Sequence, residues 1–185
     1  MAQGFKNTRK GISARFTAEE ASLLQKLFSD VADTLEPEVS DETDPLASLI
    51  GISENSAVPT DPAVARILPV ASDDPEVADE YRRFTELSLR QQKIGYLQMA
   101  ALDVEAQDVV LDAEHARGWA AALNDVRLTL ATRLDITSDA DASATATKTD
   151  WRKVDTVEDY MALVYNFVSW LLDTLMEAML DTLEP

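Results

Sequence analysis

The sequence predicts a mainly α-helical single domain, a bundle-like core carrying a small N-terminal β-hairpin. Three observations lead there. Several segments repeat apolar residues at helical spacing, Asp-Pro and Thr-x-x-acid signals stand where helices would begin, and apolar and polar residues alternate within the first sixteen positions. At 185 residues and 46% hydrophobic, the chain can enclose one core, so one domain over 1–185 is expected.

In residues 1–16, Ile12, Ala14 and Phe16 alternate with Ser13 and Arg15 behind the turn-forming NTRKG, which predicts a hairpin from Phe5 to Phe16. Its Lys6, Arg9, Lys10 and Arg15 have no acid beside them, so their charge should meet the acidic body of the protein itself. A helix over 17–36 follows. Thr17 and Glu20 have capping-box spacing, and Leu24, Leu27, Phe28, Val31 and Leu35 form one apolar stripe. Asp44-Pro45, Asp61-Pro62 and Asp74-Pro75 each join an N-cap oxygen to a residue pre-set for the first helical position. The first two pairs open short helices ending near Gly51 and Pro69, with SENSAVPT between them. The third opens a long helix, 75–105, whose Phe84, Leu87, Ile94 and Ala101 share a seam with Glu80, Gln91 and Gln98. Gly95 in that helix costs about 1 kcal/mol of propensity relative to Ala, a cost that close approach of another helix would offset.

A helix over 113–135, capped by Asp112, carries the stripe Trp119, Leu123, Val126, Leu130 and Leu134. At about 100° per residue, Arg127 and Arg133 border the stripe, while Asp125 and Leu128 fall on the far side. Border arginines lay their stems on apolar surface and send their heads to carboxylates, so Arg66, Asp125, Arg127 and Arg133 read as a structural polar network. An arginine clamp on an anionic ligand is the rival reading, and it needs converging donors that the sequence does not identify. Residues 137–150 read as a flexible linker loop. Asp139, Asp141, Ser143, Thr145, Thr147 and Asp150 match the ligand spacing of a calcium loop, but Ala144 replaces its turn glycine, Ala146 its apolar position and Asp150 its bidentate glutamate.

The last helix, 157–183, opens on Thr156 and Asp159. Tyr160, Val164, Phe167, Leu171, Leu175 and Ala178 form one stripe, Met161, Tyr165, Leu172 and Met176 a second, and Trp170 flanks the first. Two stripes on one helix need cover on two sides. Together with Leu128 they favour a homodimer, with Leu128, Tyr165, Leu172 and Met176 as the candidate interaction residues.

Thirty-four acids against sixteen bases give a net charge of -18, which opposes nucleic acid and anionic membrane surfaces as partners. There is no cysteine for a disulfide, thiolate ligand or nucleophile, the five glycines are scattered, and no G-x-S-x-G elbow occurs. His115, the single histidine, reads as a solvated surface residue. No catalytic, cofactor-binding or metal-ligating residue is assigned, and no cofactor is expected. The most apolar run, Met161 to Leu172, is short of the about 20 residues that span a bilayer, and the first residues lack a signal-peptide core, so a cytoplasmic protein is expected.

The blocks DPAVARILP (61–69), DDPEVADEYRRF (73–84), LNDVRLTLATRL (123–134) and YNFVSWLL (165–172), with TAEEASLLQKL and the basic hairpin, resemble the actinobacterial domain-of-unknown-function family numbered twenty-seventeen. The resemblance implies a small cytoplasmic α-helical protein, encoded beside the adaptor of the Clp protease in many members and loosely labelled a transcriptional regulator in some. It carries over no catalytic or ligand residue. The reading that follows is a non-catalytic interaction or regulatory protein, linked by family neighbourhood to regulated proteolysis. Its rivals are a transcription regulator, which would want a basic recognition helix, and an enzyme with an unrecognised carboxylate site.

Overall fold

The computed structural model describes residues 2–37, 58–148 and 150–182. The helix expected after Asp44-Pro45 lies outside them. Strands β1 (Gln3–Thr8) and β2 (Gly11–Arg15) form the expected hairpin, and helix α1 (Ala18–Leu35) follows with both halves of its capping box in place. Helix α2 (Pro62–Ile67) and helix α3 (Pro75–Asp103) start at the second and third Asp-Pro pairs, with Asp61 and Asp74 accepting from the free backbone N–H groups. A 3-10 turn (Val104–Ala106) ends α3 and leads into strand β3 (Asp108–Leu111). Helices α4 (Ala113–Arg133), α5 (Asp139–Ala146) and α6 (Val157–Leu180) complete the chain.

The hairpin is one part of a three-stranded antiparallel sheet in the order β1-β2-β3. Ile12 faces Leu111 and Arg15 faces Asp108 across the added ladder. The signal for β3 is plain alternation: Val109 and Leu111 are buried, Asp108 and Val110 exposed. Arg15 pairs with Asp108 at a solvated edge, so of the four hairpin bases this one meets an acid of the body as expected. Gly11 turns the chain between β1 and β2 with φ +122, and a Cβ there would lie 2.7 Å from the Leu111 carbonyl oxygen.

Helix α4 is the centre of the bundle. It packs against α1, α2, α3 and α6, and has ten buried residues around its girth. This overturns the placement of Asp125 on a far side. With helices around it α4 has no such side there, and Asp125 is 1% exposed. The seam expected on α3 holds in part. Ile94 and Ala101 pack against the core, whereas Phe84 is 54% exposed, and Arg82, Leu97 and Ala100 are the buried positions. The inward line runs through Arg82, Glu86, Lys93 and Leu97, because long charged side chains bury their stems and satisfy their heads inside the bundle. Nothing approaches Gly95 within 4 Å, so no close helix contact offsets its cost.

The linker expected at 137–150 contains α5, whose Ser138 and Asp141 form a reciprocal capping box. Its C-terminal end is held as well: the Asn166 amide donates to the Thr145 and Lys148 carbonyls at 2.9 and 2.7 Å. A helical 139–146 also removes the loop conformation that the calcium spacing requires.

Helix α6 is longer than its most apolar run. Among the described residues it is the one helix that, by length and composition alone, is long and apolar enough to cross a membrane. Nine of its residues are buried, as in the core helix of a bundle. Tyr165 and Leu172, expected at a dimer contact, are among these nine. Leu128 is half-buried, so of the four residues only Met176 is exposed at the surface.

Gly11→Ala is expected to destabilise the protein by about 1–3 kcal/mol, through a left-handed φ and a clash with backbone that cannot move aside. Chemical denaturation checks this; a variant as stable as the parent contradicts the described joint between hairpin and β3.

Candidate functional site

A cleft of about 680 Å³ opens between the start of α1, the outer side of α6 and the 3-10 turn Trp151–Lys153. Helix α6 supplies Tyr160, Phe167 and Trp170, which at spacings of 7 and 3 lie along one side of the helix. Trp151 stands edge-on to Tyr160 at 6.2 Å between centroids, and Phe167 stacks on Trp170 at 6.2 Å. Trp151, Tyr160 and Trp170 remain 52%, 44% and 41% exposed. Such rings at a surface are costly in water and suited to a partner.

The rim is anionic. Glu20 is committed to its cap, accepting from the Thr17 N–H at 2.9 Å and the Ala2 N–H at 2.8 Å. Glu19 beside it is exposed, and hydrogen bonds from its own backbone N–H and the Thr17 side chain hold its carboxyl below the usual range. Among the described side chains, no lysine or arginine lines the cleft. The position of Trp170 depends on close packing with β1. A Cβ on Gly4 would meet its ring at 3.0 Å and the Thr174 side chain at 2.9 Å, and Thr174 accepts from the Phe5 N–H at 3.1 Å.

The structure places the expected polar network in three separate settings. Asp125 is held by Lys93 of α3 at 2.8 and 3.0 Å, and burial pushes its carboxyl above the ordinary value against the pull of that cation. Arg127, expected to reach a carboxylate, donates instead to the Asn124 side chain at 2.9 Å, and Arg66 donates to the Ile136 carbonyl at 3.0 Å. Arg133 is exposed at the end of α4. A fourth cluster was not foreseen: Glu86 is clasped by Arg82 and Arg90, and Arg90 also caps the C-terminal carbonyl of α1 at Leu35.

His115 is not simply solvated. Its Nδ1 lies 2.7 Å from Asp103, whose same oxygen accepts from the Trp119 indole at 2.9 Å. That hydrogen bond raises the histidine pKa, with burial opposing. Among the described residues, no group of three histidine, aspartate or glutamate side chains is placed to hold a metal ion.

The sequence reading passed over the cleft because Tyr160 and Phe167 fit a core stripe as well as a surface. The signal that separates them is Trp170 beside that stripe, with Trp151 just ahead of the helix.

Lys93→Met should lower stability by about 3–5 kcal/mol at neutral pH, by leaving Asp125 buried without its cation. The orphaned acid has a raised folded pKa, so the loss grows as pH rises from the unfolded carboxylate value through the folded one, and shrinks in acid. Adding Asp125→Leu should restore most of it. Thermal melts across pH check both; a double variant no better than the single contradicts the pairing.

No curated protein and no solved structure matches the chain. A family model described as a domain of unknown function (DUF2017) matches residues 2–179, from the first strand to the end of α6. The chain belongs to the DUF2017 family.

Proposed function

We propose that the protein is a non-catalytic cytoplasmic interaction module whose cleft binds a partner protein through a segment carrying basic and apolar side chains. The observation that carries this reading is the cleft itself: four aromatic rings, three of them well exposed, beneath a rim of Glu19 and Glu20, with no cation among the described lining side chains. Trp and Tyr dominate binding energy at interfaces, and their faces attract cations. The net charge of -18 draws a basic segment in and disfavours a second copy of this chain, since paired rims would repel. Binding is favoured over catalysis because three buried or half-buried carboxylates are already engaged: Asp125 with Lys93, Glu86 with two arginines, Asp103 with His115 and Trp119. A role beside regulated proteolysis suits such a module, and rests on the family resemblance alone.

A short amidated peptide alternating arginine and leucine, titrated calorimetrically into the full chain, should bind saturably and weaken with salt. The glutamate-for-arginine peptide should not bind. Trp170→Ala and Glu19→Gln should each weaken binding about tenfold, with circular dichroism confirming the fold. No binding of the basic peptide, equal binding of both, or full affinity in Trp170→Ala overturns the proposal.

A further inference from the structure

Helix α4 ends in a Schellman turn: Asp135 has φ 55, the Ile136 N–H bonds the Ala131 carbonyl at 2.9 Å, and the Asp135 N–H bonds the Thr132 carbonyl at 3.2 Å. The turn folds Ile136 into the core and carries the chain over the end of α2. Between them lies a recessed cavity of about 220 Å³, to which α2 contributes Arg66, α4 Arg127 and α6 Tyr165, with Thr137 and Ser138 on its wall.

Both guanidinium groups lack a counter-ion. Among the described residues Arg15, Lys26, Arg82, Arg90, Lys93, Lys148 and Arg152 each have a carboxylate within ion-pair distance, whereas Arg66 and Arg127 have none. Lys6, Arg9, Lys10, Arg83, Arg117 and Arg133, all exposed, have none either; what sets Arg66 and Arg127 apart is that they line one cavity together. Their protein acceptors are neutral, the Ile136 carbonyl and the Asn124 amide oxygen, which orient the two cations without neutralising them. Arg127 Nε is buried with no partner. Asp141 of the neighbouring helix is turned away, accepting from the N–H and hydroxyl groups of Thr137 and Ser138. Asp139 lines the cavity beyond ion-pair distance of either arginine, leaving an excess of positive charge inside.

We infer that this cavity is a binding site for a small oxyanion, a carboxylate or phosphate group held between Arg66 and Arg127. Two donors of the kind an arginine clamp requires line the same cavity from helices far apart in sequence. Outside the cavity the protein's charge repels anions, so binding is directed to this recess, where positive charge is left over. The volume admits inorganic phosphate or a short dicarboxylate such as succinate.

Isothermal titration of the full chain with sodium phosphate and with sodium succinate, at ionic strength held constant with chloride, tests this. At least one should bind saturably at one site per chain; phosphate alone assigns a phosphorylated ligand, succinate alone a carboxylate. Arg66 is exposed, so Arg66→Ala should fold normally and lose about tenfold or more in affinity. Arg127→Met should do the same. Trp170→Ala, in the aromatic cleft, should leave anion binding unchanged, which keeps this site distinct from the peptide site. No saturable heat with either anion, or undiminished binding in Arg66→Ala, overturns the inference.

Discussion

The indole of Trp119 is completely buried, and its N–H has one acceptor, the Asp103 carboxylate at 2.9 Å. Phe5 and Phe28 meet its faces edge-on at 5.4 Å between centroids and Phe16 stacks on it at 6.1 Å. One side chain thereby joins the hairpin, the residue leading into α1, α1 itself, α3 and α4. A hairpin alone is marginal in water, and it gains stability from a third strand and from packing against helices. Here its inner face is covered by α6, which packs along β1, and by Trp119, against which Phe5 stands. The carboxylate that anchors the indole is held in turn by His115, one turn earlier on α4. Losing so large a buried side chain costs about 3–5 kcal/mol in a typical core, and here it would part four elements at once.

Placing α4 at the centre has a consequence for charge. A helix enclosed by neighbours leaves any polar residue on its girth inside the protein, where an unpaired charge is far more costly than a paired one. Asp125 meets this constraint through Lys93, and Glu86 on the neighbouring helix through two arginines. At Arg127, half-buried on the same helix as Asp125, no carboxylate answers the charge. The leftover positive charge near α2 and the aromatic cleft beside α1 belong to opposite chemistries, one suited to an oxyanion and the other to a cationic, apolar segment. They share no lining residue.

What could be read in the sequence was mostly local. Thr17, Asp61, Asp74, Asp112 and Thr156 cap their helices as their spacing indicates, since a cap is a contact between residues two or three apart. Features set by distant neighbours were harder. The inward face of α3 depends on Asp125 lying across from Lys93, and no periodicity of apolar residues reports that. On α6, Tyr165 and Leu172 are covered by the rest of the bundle while Tyr160 and Trp170 are not, although hydrophobicity ranks them alike. Helix α5 was hidden by its Ala, Ser and Thr composition, yet Ser138 and Asp141 had the capping spacing recognised at Thr17 and Glu20. The aromatic cleft was legible only as residues, and the arginine cavity only as a question, because Arg66 and Arg127 are 61 positions apart in sequence.

The central role of Trp119 is tested most directly by hydrogen exchange of its indole N–H, followed by NMR in the native state. An indole locked between four elements should exchange only when the whole domain opens, with the same opening free energy as the slowest backbone amides of α1 and α4. Exchange markedly faster than those amides would mean that the hairpin or α3 detaches on its own, and would contradict the account of Trp119 as the junction of the fold.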